Sequence, residues 1–509
     1  MVIVSVTPEI AIDELKMYAG GLGVLEGDKL FTAGEIGLDY WALSLFYRRG
    51  YVKLRFNGVE PILEPERQVS SVLAKLQPWD EFTVTLKGEE VVVRPLVYPH
   101  KTARAVFFEA VCPQWARNLT DRVYMADTLE NQFLVYAFLA KSAAVFIKDF
   151  IGLENVSVID LEEAHTALLL TALNVDDRAR IIIHTPGPWG HPYFPGGLIA
   201  REFGLFLGDN VLLTDYALSK LSRGIVVSKK QEEIARKLFS KYADKIISIT
   251  NGVSLERWMD PRLLEAYTKN TLSREMVVNV RMDNRSKLVS YLKSIKPDLV
   301  VDDKPIIAWV RRLAKYKRPY FIARFIEENP DVKAVFVLGG KPHPKDFDGL
   351  NYARKFRELH LKVNHVVYVS DYDIPAARTI LRGSDILLFI PFSGWEASGT
   401  SFMKALVNGV PVLSSRDGAA LEVIEDNING WFFGEDIRDF INIYDDPRSK
   451  EIDEKEYNEF KKKLLEAIDM YYSDKEKYWE ISFNSVLKTP SKVDMRRVLA
   501  RYYLEAGLK

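Results

Sequence analysis

The chain has 509 residues, more than one hydrophobic core usually serves, so two large domains are expected. Its 69 basic and 70 acidic residues leave a net charge of −1, which supplies no field to gather nucleic acid or an anionic membrane surface. A single cysteine, Cys112, excludes a disulfide framework and a cysteine metal cluster; with no apolar run of bilayer length and no readable signal peptide, a cytoplasmic protein without a resident metal is expected.

Residues 2–6 read as a buried strand. It leads to Tyr18-Ala-Gly-Gly-Leu-Gly-Val-Leu-Glu-Gly-Asp28, where three glycines in four positions mark a backbone that something approaches closely. Helical patterning resumes over residues 25–36. Residues 40–110 are β-rich, with strand-like runs at 51–56, 89–97 and 103–110, and read as a hairpin insertion in the first domain. Residues 129–150 read as a long apolar core helix, in which Lys141 and Lys148 argue against a membrane span. Buried-type strands follow at 156–159, 180–183, 224–228 and 245–249, with helical segments between most of them. Polar residues close three of these: Asp160-Leu-Glu-Glu-Ala-His165, His184-Thr-Pro-Gly-Pro-Trp-Gly-His191 and Thr250-Asn251-Gly252. Strand alternating with helix predicts a doubly wound parallel sheet, and such sheets bind ligands beyond the carboxyl ends of their strands. The polar strand ends are therefore site candidates as a group, although a single buried histidine serves a core equally well and Asn-Gly alone reads as a turn.

Residues 261–301 are helical and charge-rich and read as the connection between domains. A second α/β series then begins. A strand at 304–310 runs into Arg311-Arg-Leu-Ala-Lys-Tyr-Lys-Arg-Pro319, one at 333–338 into Gly339-Gly340-Lys341, and one at 366–369 into Ser370-Asp-Tyr372. The strand at 385–390 precedes Glu396-Ala-Ser-Gly-Thr-Ser-Phe-Met-Lys404, the one at 411–414 precedes Arg416-Asp-Gly418, and residues 431–433 add a further short run. Residues 451–467 read as a solvated charged helix and residues 493–507 as a final amphipathic one. Small residues at 398–401, between a strand and a helix, leave backbone N–H groups open to an anion. Lys404, one turn into that helix, is either a solvated lysine or the amine that takes an aldehyde cofactor beside a phosphate cradle. Arg311, Arg312, Lys317 and Arg318 after a neighbouring strand offer cations for more than one phosphate group. Glu396 either accepts hydrogen bonds from sugar hydroxyls or caps a helix.

These residues resemble the α-glucan (glycogen, starch, maltodextrin) phosphorylases. The stretch from Glu396 to Lys404 is similar to that family's pyridoxal-phosphate lysine motif, and Ala19-Gly-Gly-Leu-Gly23 to its glycine loop. Thr250-Asn-Gly-Val253 with Arg257-Trp258 resembles its Thr-Asn-Gly element, and Arg312 with Tyr316-Lys-Arg318 its phosphate site. Gly339-Gly-Lys341, Tyr372 and Asp417-Gly418 fall in the family's order, and His184-Thr-Pro with Glu163-Ala-His165 look like the short-form members. The resemblance is patchy between residues 40 and 150. The chain departs from the family at Phe402, where Asn or Gly is usual. Few residues precede the glycine loop, so no phosphorylation switch or nucleotide activation site of the animal and yeast kind is expected.

The resemblance implies a GT-B architecture, two doubly wound Rossmann-like domains facing across a cleft. It puts residues 1–300 in the first domain, with the β-rich insertion at about 40–110, and residues 301–480 in the second. Residues 481–509 are expected to cross back to the first as a helix. The implied reaction is phosphorolysis of terminal α-1,4-linked glucosyl residues to α-glucose 1-phosphate. Lys404 would hold pyridoxal 5'-phosphate, with Gly399, Thr400, Ser401 and Arg311 around its phosphate and Tyr372 beside it. Arg312, Lys317 and Gly21 would meet the substrate phosphate. Leu22, His184, Asn251, Glu396 and Ser398 complete the implied substrate contacts, with Lys404, Arg312, Lys317 and His184 as the catalytic set. The implied partners are an α-1,4-glucan and inorganic phosphate, not nucleic acid or membrane, and the sequence admits a homo-oligomer. A sugar-nucleotide-dependent glucan synthase would share the fold without needing the Lys404 amine. A catalytically inactive glucan-binding homologue, its cofactor blocked by Phe402, is the other alternative.

Overall fold

The apolar runs become strands of two largely parallel sheets, one in each of two units. A computed structural model describes residues 2–13 and 15–504. The first unit comprises Met1–Tyr51, Pro65–Thr250 and Met495–Lys509, and the second Val52–Glu64 and Asn251–Asp494.

In the first unit the parallel strands lie in the order Ile246–Ser248, Gly224–Val226, Ala179–Ile183, Val156–Glu162, Val2–Val6, Asp39–Leu45, Ala103–Cys112. The antiparallel strand Glu89–His100 extends the last edge, and Phe82–Leu86 pairs with it in turn. Val2–Val6 starts in the middle. The chain winds outward from it to one edge, then restarts at Val156–Glu162 and winds to the other. Right-handed crossovers put the connecting helices on opposite faces before and after that reversal, so both faces are covered and the strands are buried on both. Ala179–Ile183 is buried throughout, and Val156–Glu162 at all but one position.

The β-rich region does not form a separate insertion. Asp39–Leu45 and Ala103–Cys112 are members of the main sheet, because Asp39–Leu45 is buried at every position but its first, the mark of a strand covered on both faces. Glu89–His100, paired with Ala103–Cys112 on one side and Phe82–Leu86 on the other, shows the alternation of a half-buried strand. The antiparallel hairpin Lys53–Asn57 with Glu60–Glu64 belongs to the second unit: Arg354 Nε donates to Glu60 Oε2 at 2.8 Å, Arg357 Nε to the Gly58 carbonyl at 3.2 Å, and Phe56 meets the Tyr368 ring. The long apolar helix is α-helical over Leu129–Val145 and π-helical over Phe146–Gly152.

The second unit's main sheet has six strands, all parallel, in the order Val366–Val369, Val335–Gly339, Ile306–Val310, Ile386–Phe389, Val412–Ser415, Gly430–Phe433. Winding reverses between Ile306–Val310 and Ile386–Phe389. One face packs on a core that includes Trp309, Phe321, Phe336, Phe356 and Phe460.

The charge-rich stretch expected to connect domains holds the helix Arg274–Ile295, which is integral to the second unit; the division falls at Thr250 and Asn251 rather than at residue 300. The reason is a buried carboxylate. Asp385 pairs with Arg281 Nη2 at 3.4 Å and Arg285 Nε at 3.1 Å, and accepts the Ile306 N–H at 2.8 Å, while Tyr478 donates to its carbonyl at 3.0 Å. The chain after residue 481 is not one helix. Lys475–Lys488 ends before Pro490, which has no N–H to continue it, and Met495–Tyr503 joins the first unit through Arg180 Nη1 on the Tyr502 carbonyl (2.9 Å) and Tyr503 on Asp160 (2.7 Å). Residues 505–507 of the expected last helix lie outside the described residues. Among the described residues no helix is long and apolar enough to cross a membrane.

Replacing Asp385 by Ala leaves Arg281 and Arg285 without their carboxylate, Arg281 deep in the interior. The loss is expected to be about 3–5 kcal/mol. For a unit of this size that lowers Tm by roughly 6–20 °C. Thermal unfolding followed by circular dichroism reads it; a shift within error of zero would mean that Asp385 does not tie these helices to the sheet.

Candidate active site

The reversal of winding in the second unit sets the location. Strands on either side of such a reversal send their connections to opposite faces, which leaves a crevice at their carboxyl ends. Ile306–Val310 ends there in Arg311, and Ile386–Phe389 leads there through Pro391 to Glu396. Arg311 Nη2 lies 2.6 Å from Glu396 Oε2, and Lys317 Nζ lies 3.1 Å from the same oxygen. All three groups are largely withdrawn from water. Arg311 Nε and Nη1 are buried and find no hydrogen-bond partner among the described residues. Burial works against the Glu396 anion, but Lys317 and Arg311 outweigh it and hold the carboxyl below its usual range. Burial, and then the Arg311 charge, push the Lys317 ammonium down to about 7, with Glu396 opposing. Two cations on one carboxylate, with guanidinium N–H groups to spare, make a site for an anion.

The loop carrying Glu396 is fixed by Asp417. Its carboxylate accepts N–H groups from Gly394 at 2.7 Å, Gly418 at 2.9 Å and Glu396 at 2.8 Å. Gly418 has φ +48°, and a Cβ on it would lie 2.1 Å from the Glu396 carbonyl oxygen. At Gly399 a Cβ would lie 2.7 Å from the Phe389 ring and 3.0 Å from Glu396 Oε1. Phe389 is the floor: Arg311 stacks on it at 4.4 Å, and Phe402, fully buried, meets it edge-on at 4.8 Å.

Lys404 lies on the short helix Ser401–Leu406 and is 5% exposed, with Nζ 4.0 Å from the centre of the Trp258 ring. Asn408, one turn on, ties the two segments together. Its Nδ2 donates to the Lys404 carbonyl (2.7 Å) and the Trp258 carbonyl (3.0 Å), and its Oδ1 accepts the Asp260 N–H (2.7 Å). Arg382 adds a bond to the Trp258 carbonyl at 3.0 Å. Thr400 is buried and Ser401 half-buried. Ser398 Oγ and Asn251 Oδ1 are buried and find no partner among the described residues. Tyr372 is half-buried, its ring against Gly339, and burial raises its phenol far above the usual range. Arg312 is half-buried and bonds the Tyr316 phenol. Arg318 differs from its neighbours: fully buried, it is taken up by Glu456 at 2.5 Å and Asp453 at 2.8 Å, and serves the fold.

Gly21, Leu22 and His184 belong to the first unit. Glu9 accepts the Ala19 and Gly20 N–H groups and so shapes the glycine loop, from which the helix Gly21–Glu35 starts with Gly21 exposed and Leu22 half-buried. His184 follows Ala179–Ile183, its Nε2 2.5 Å from Glu162 Oε2; the other Glu162 oxygen accepts from Lys29 Nζ. Glu163 has φ +71° and accepts from Thr185 at 2.6 Å, and burial raises its carboxyl to about 8. His165 packs on the Tyr136 ring at 4.4 Å; burial pushes it down to about 3, so it stays neutral in the core. The sequence reading passed over Lys29, Glu9 and Asn408. Lys29 leaves one trace, a charge on the apolar side of a helix; the other two leave none.

Residues 262–502 match the family model described as carbohydrate phosphorylase. The chain is similar to the maltodextrin phosphorylase of Thermococcus litoralis, 25% identical over 512 residues, which cover 83% of this chain and 61% of that protein. An uncharacterized protein of Methanocaldococcus jannaschii is 26% identical over 533 residues, 97% of each chain. The glycogen phosphorylase of Aquifex aeolicus is 25% identical over 532 residues, 85% of this chain and 76% of that protein. The chain thus spans less than two thirds of the maltodextrin phosphorylase's length. By the match over residues 262–502, and by these relatives, the chain is similar to the carbohydrate phosphorylases.

Proposed function

We propose that the protein catalyses phosphorolysis of terminal α-1,4-linked glucosyl residues of glycogen or maltodextrin, giving α-glucose 1-phosphate, with pyridoxal 5'-phosphate held on Lys404. The two doubly wound units are then the halves of a GT-B enzyme. The observation that carries the reading is the excess of cation at the second unit's switch point: Arg311 and Lys317 share one carboxylate, and two buried guanidinium nitrogens find no partner among the described residues.

The residues fit the cofactor. Lys404 is buried against an aromatic wall, Trp258, and Ser398 Oγ and Arg311 Nε and Nη1 are buried donors without partners among the described residues. Gly399 keeps the loop clear of a Cβ that would strike Phe389. Lys404 would hold the aldehyde end, Gly399, Thr400, Ser401 and Arg311 the phosphate, and Tyr372 one side. Bound there, the cofactor supplies a phosphate group that exchanges protons near neutral pH.

The chain's own residues do the rest. Arg312 and Lys317 bind the substrate phosphate and offset the repulsion between two phosphate groups. Glu396, held ionised by the cations beside it, accepts hydrogen bonds from the transferred sugar, which Ser398, Asn251 and His184 also hold. Gly21 and Leu22 bring the open start of a helix to the substrate phosphate. Tight retention of phosphate limits competition from water.

Purified protein is expected to show a pyridoxal absorbance band, and borohydride is expected to fix a pyridoxyl label on the peptide containing Lys404. Lys404→Met loses the label and about 10²–10⁴-fold or more of the phosphorolysis rate. A colourless protein that takes glucose from a nucleotide sugar, and none from glucan and phosphate, overturns the assignment.

A second test uses the Lys317 ammonium. Its cation is present below about pH 7 and lost above it, so kcat/KM for phosphate, which reports the free protein, should fall about tenfold per pH unit above 7 once phosphate's own ionisation is allowed for. Lys317→Arg remains charged throughout and removes this alkaline limb, whatever it costs in absolute rate. An alkaline limb unchanged in Lys317→Arg would assign it to another group.

A further inference from the structure

The first unit buries a second ionic cluster, and His184 stands at its edge. Glu162 closes the strand Val156–Glu162, one of the two at that unit's reversal of winding, and is fully buried. One carboxylate oxygen accepts from Lys29 Nζ; the other lies 2.5 Å from His184 Nε2. Lys29 comes from Gly21–Glu35, the helix that the glycine loop opens, and is 1% exposed. Its ammonium lies 3.8 Å from Glu26 Oε2 and 5.1 Å from the centre of the Tyr502 ring. Tyr40 donates to Glu26 Oε1 at 2.6 Å. On the neighbouring positions Asp160 is paired with Arg180 at 2.7 Å and accepts from Tyr503 at 2.7 Å.

The two carboxyls facing Lys29 are driven apart. Burial raises Glu26 to about 7, with Lys29 opposing and Glu162 adding to the rise. Burial also opposes the Glu162 anion, but Lys29, and then His184, hold that carboxyl down to about 2. Glu162 is thus the carboxylate that stays ionised beside the ammonium. A buried ion pair adds little net stability over an apolar pair of the same shape, so stability alone does not account for Lys29 and Glu162. The contact of Glu162 with His184 does. An ionised carboxylate only accepts, so a neutral imidazole facing it through Nε2 must carry its proton there and present a bare Nδ1. Without the ammonium, a buried carboxyl takes up a proton and becomes a donor toward Nε2, which reverses the tautomer.

We propose that Lys29 is a positioning residue: through Glu162 it fixes His184 as the Nε2–H tautomer, so that Nδ1 accepts a hydrogen bond from a substrate hydroxyl. The same helix begins at Gly21, so the glycine loop and the His184 ring are set by one rigid element. That the acceptor meets a sugar hydroxyl rests on the phosphorolysis assignment; that Nδ1 is the acceptor does not.

The test is nitrogen-15 NMR of the full chain labelled in its 7 histidines, with the His184 imidazole identified by its loss in His184→Gln. At pH 7.5 the wild type is expected to show His184 protonated at Nε2 and bare at Nδ1, and Lys29→Arg, which keeps the cation, the same. Lys29→Met/Glu162→Leu replaces the pair with apolar side chains and is expected to let His184 populate both tautomers, while the other imidazoles keep their shifts. In the same variant kcat/KM for phosphorolysis should fall about 10–100-fold, the worth of one hydrogen bond to a charged or well-placed group. A wild-type His184 protonated at Nδ1 overturns the proposal whatever the variants do. So does a folded double variant with the wild-type tautomer. If the tautomer shifts as expected in a protein that performs no phosphorolysis, the role of Lys29 stands and the phosphorolysis assignment falls.

Discussion

The second unit's site depends on one carboxylate, largely withdrawn from water and shared by two cations. A lone carboxylate withdrawn from water is unstable as an anion, and a lone ammonium or guanidinium is no better. Glu396 between Arg311 and Lys317 solves the first problem and leaves the second half-solved. Because the cations outnumber the anion, positive charge remains in a region of low dielectric, where it acts strongly on whatever anion enters. Burial, and then the Arg311 charge, depress the Lys317 ammonium there. The surrounding backbone serves to hold the imbalance in place. Asp417 accepts the N–H groups of the Glu396 loop, Gly418 lets that loop pass close, and Phe389 backed by Phe402 supports the Arg311 plane.

The first unit uses the same topology to another end. Its winding also reverses beside a central strand, and a carboxylate, Glu162, again stands at a strand's carboxyl end. Here the charges are matched. Lys29 answers Glu162, and burial raises Glu26 to about 7, so that it carries less than a full negative charge at neutral pH. A matched cluster has no excess to offer an anion. What it can do is orient, and the group it orients is His184. An unbalanced cluster in one unit and a balanced one in the other differ in what they can do: the first attracts an anion, and the second orients the ring beside it.

The strands were legible because each is a short Ile, Val and Leu run closed by polar residues, and parallel strands buried on both faces leave that signature. Register and order were not, because they are decided by partners far along the chain. Asp39–Leu45 carries Tyr, Trp, Ala and Leu instead, and only its pairing with Val2–Val6 and Ala103–Cys112 makes it central. The hairpin at residues 53–64 is held by Arg354, 294 residues from Glu60. Arg281 and Arg285 stand in a charge-rich helix whose pattern does not single them out, and only Asp385, 104 residues from Arg281, shows why Arg281 is buried and Arg285 half-buried. The Arg311, Lys317 and Glu396 cluster was legible because all three stand just beyond strand ends. Arg318, one residue further on, reads identically in sequence and belongs to the fold instead, since its partners Asp453 and Glu456 lie on a distant helix. Lys29 was missed for the opposite reason: a lysine in a helix reads as solvated until its carboxylate is found.

The small-residue loop before Lys404 takes on a sharper meaning. In sequence it reads as an anion cradle at a helix N-terminus, where backbone N–H groups and the helix dipole share the work. Ser401–Leu406 has only six residues, and Thr400 at its head makes no side-chain cap. So short a helix aligns few peptide dipoles, so an anion held at residues 398–401 must draw most of its stabilisation from side chains. The Ser398 hydroxyl and the Arg311 Nε and Nη1 are buried donors without a partner among the described residues, and Arg311 is already committed on one side to Glu396. The carboxylate that organises the crevice therefore also aims the guanidinium that the loop depends on. The small residues at 398–401 matter for what they leave room for, and the charge comes from the neighbouring strand.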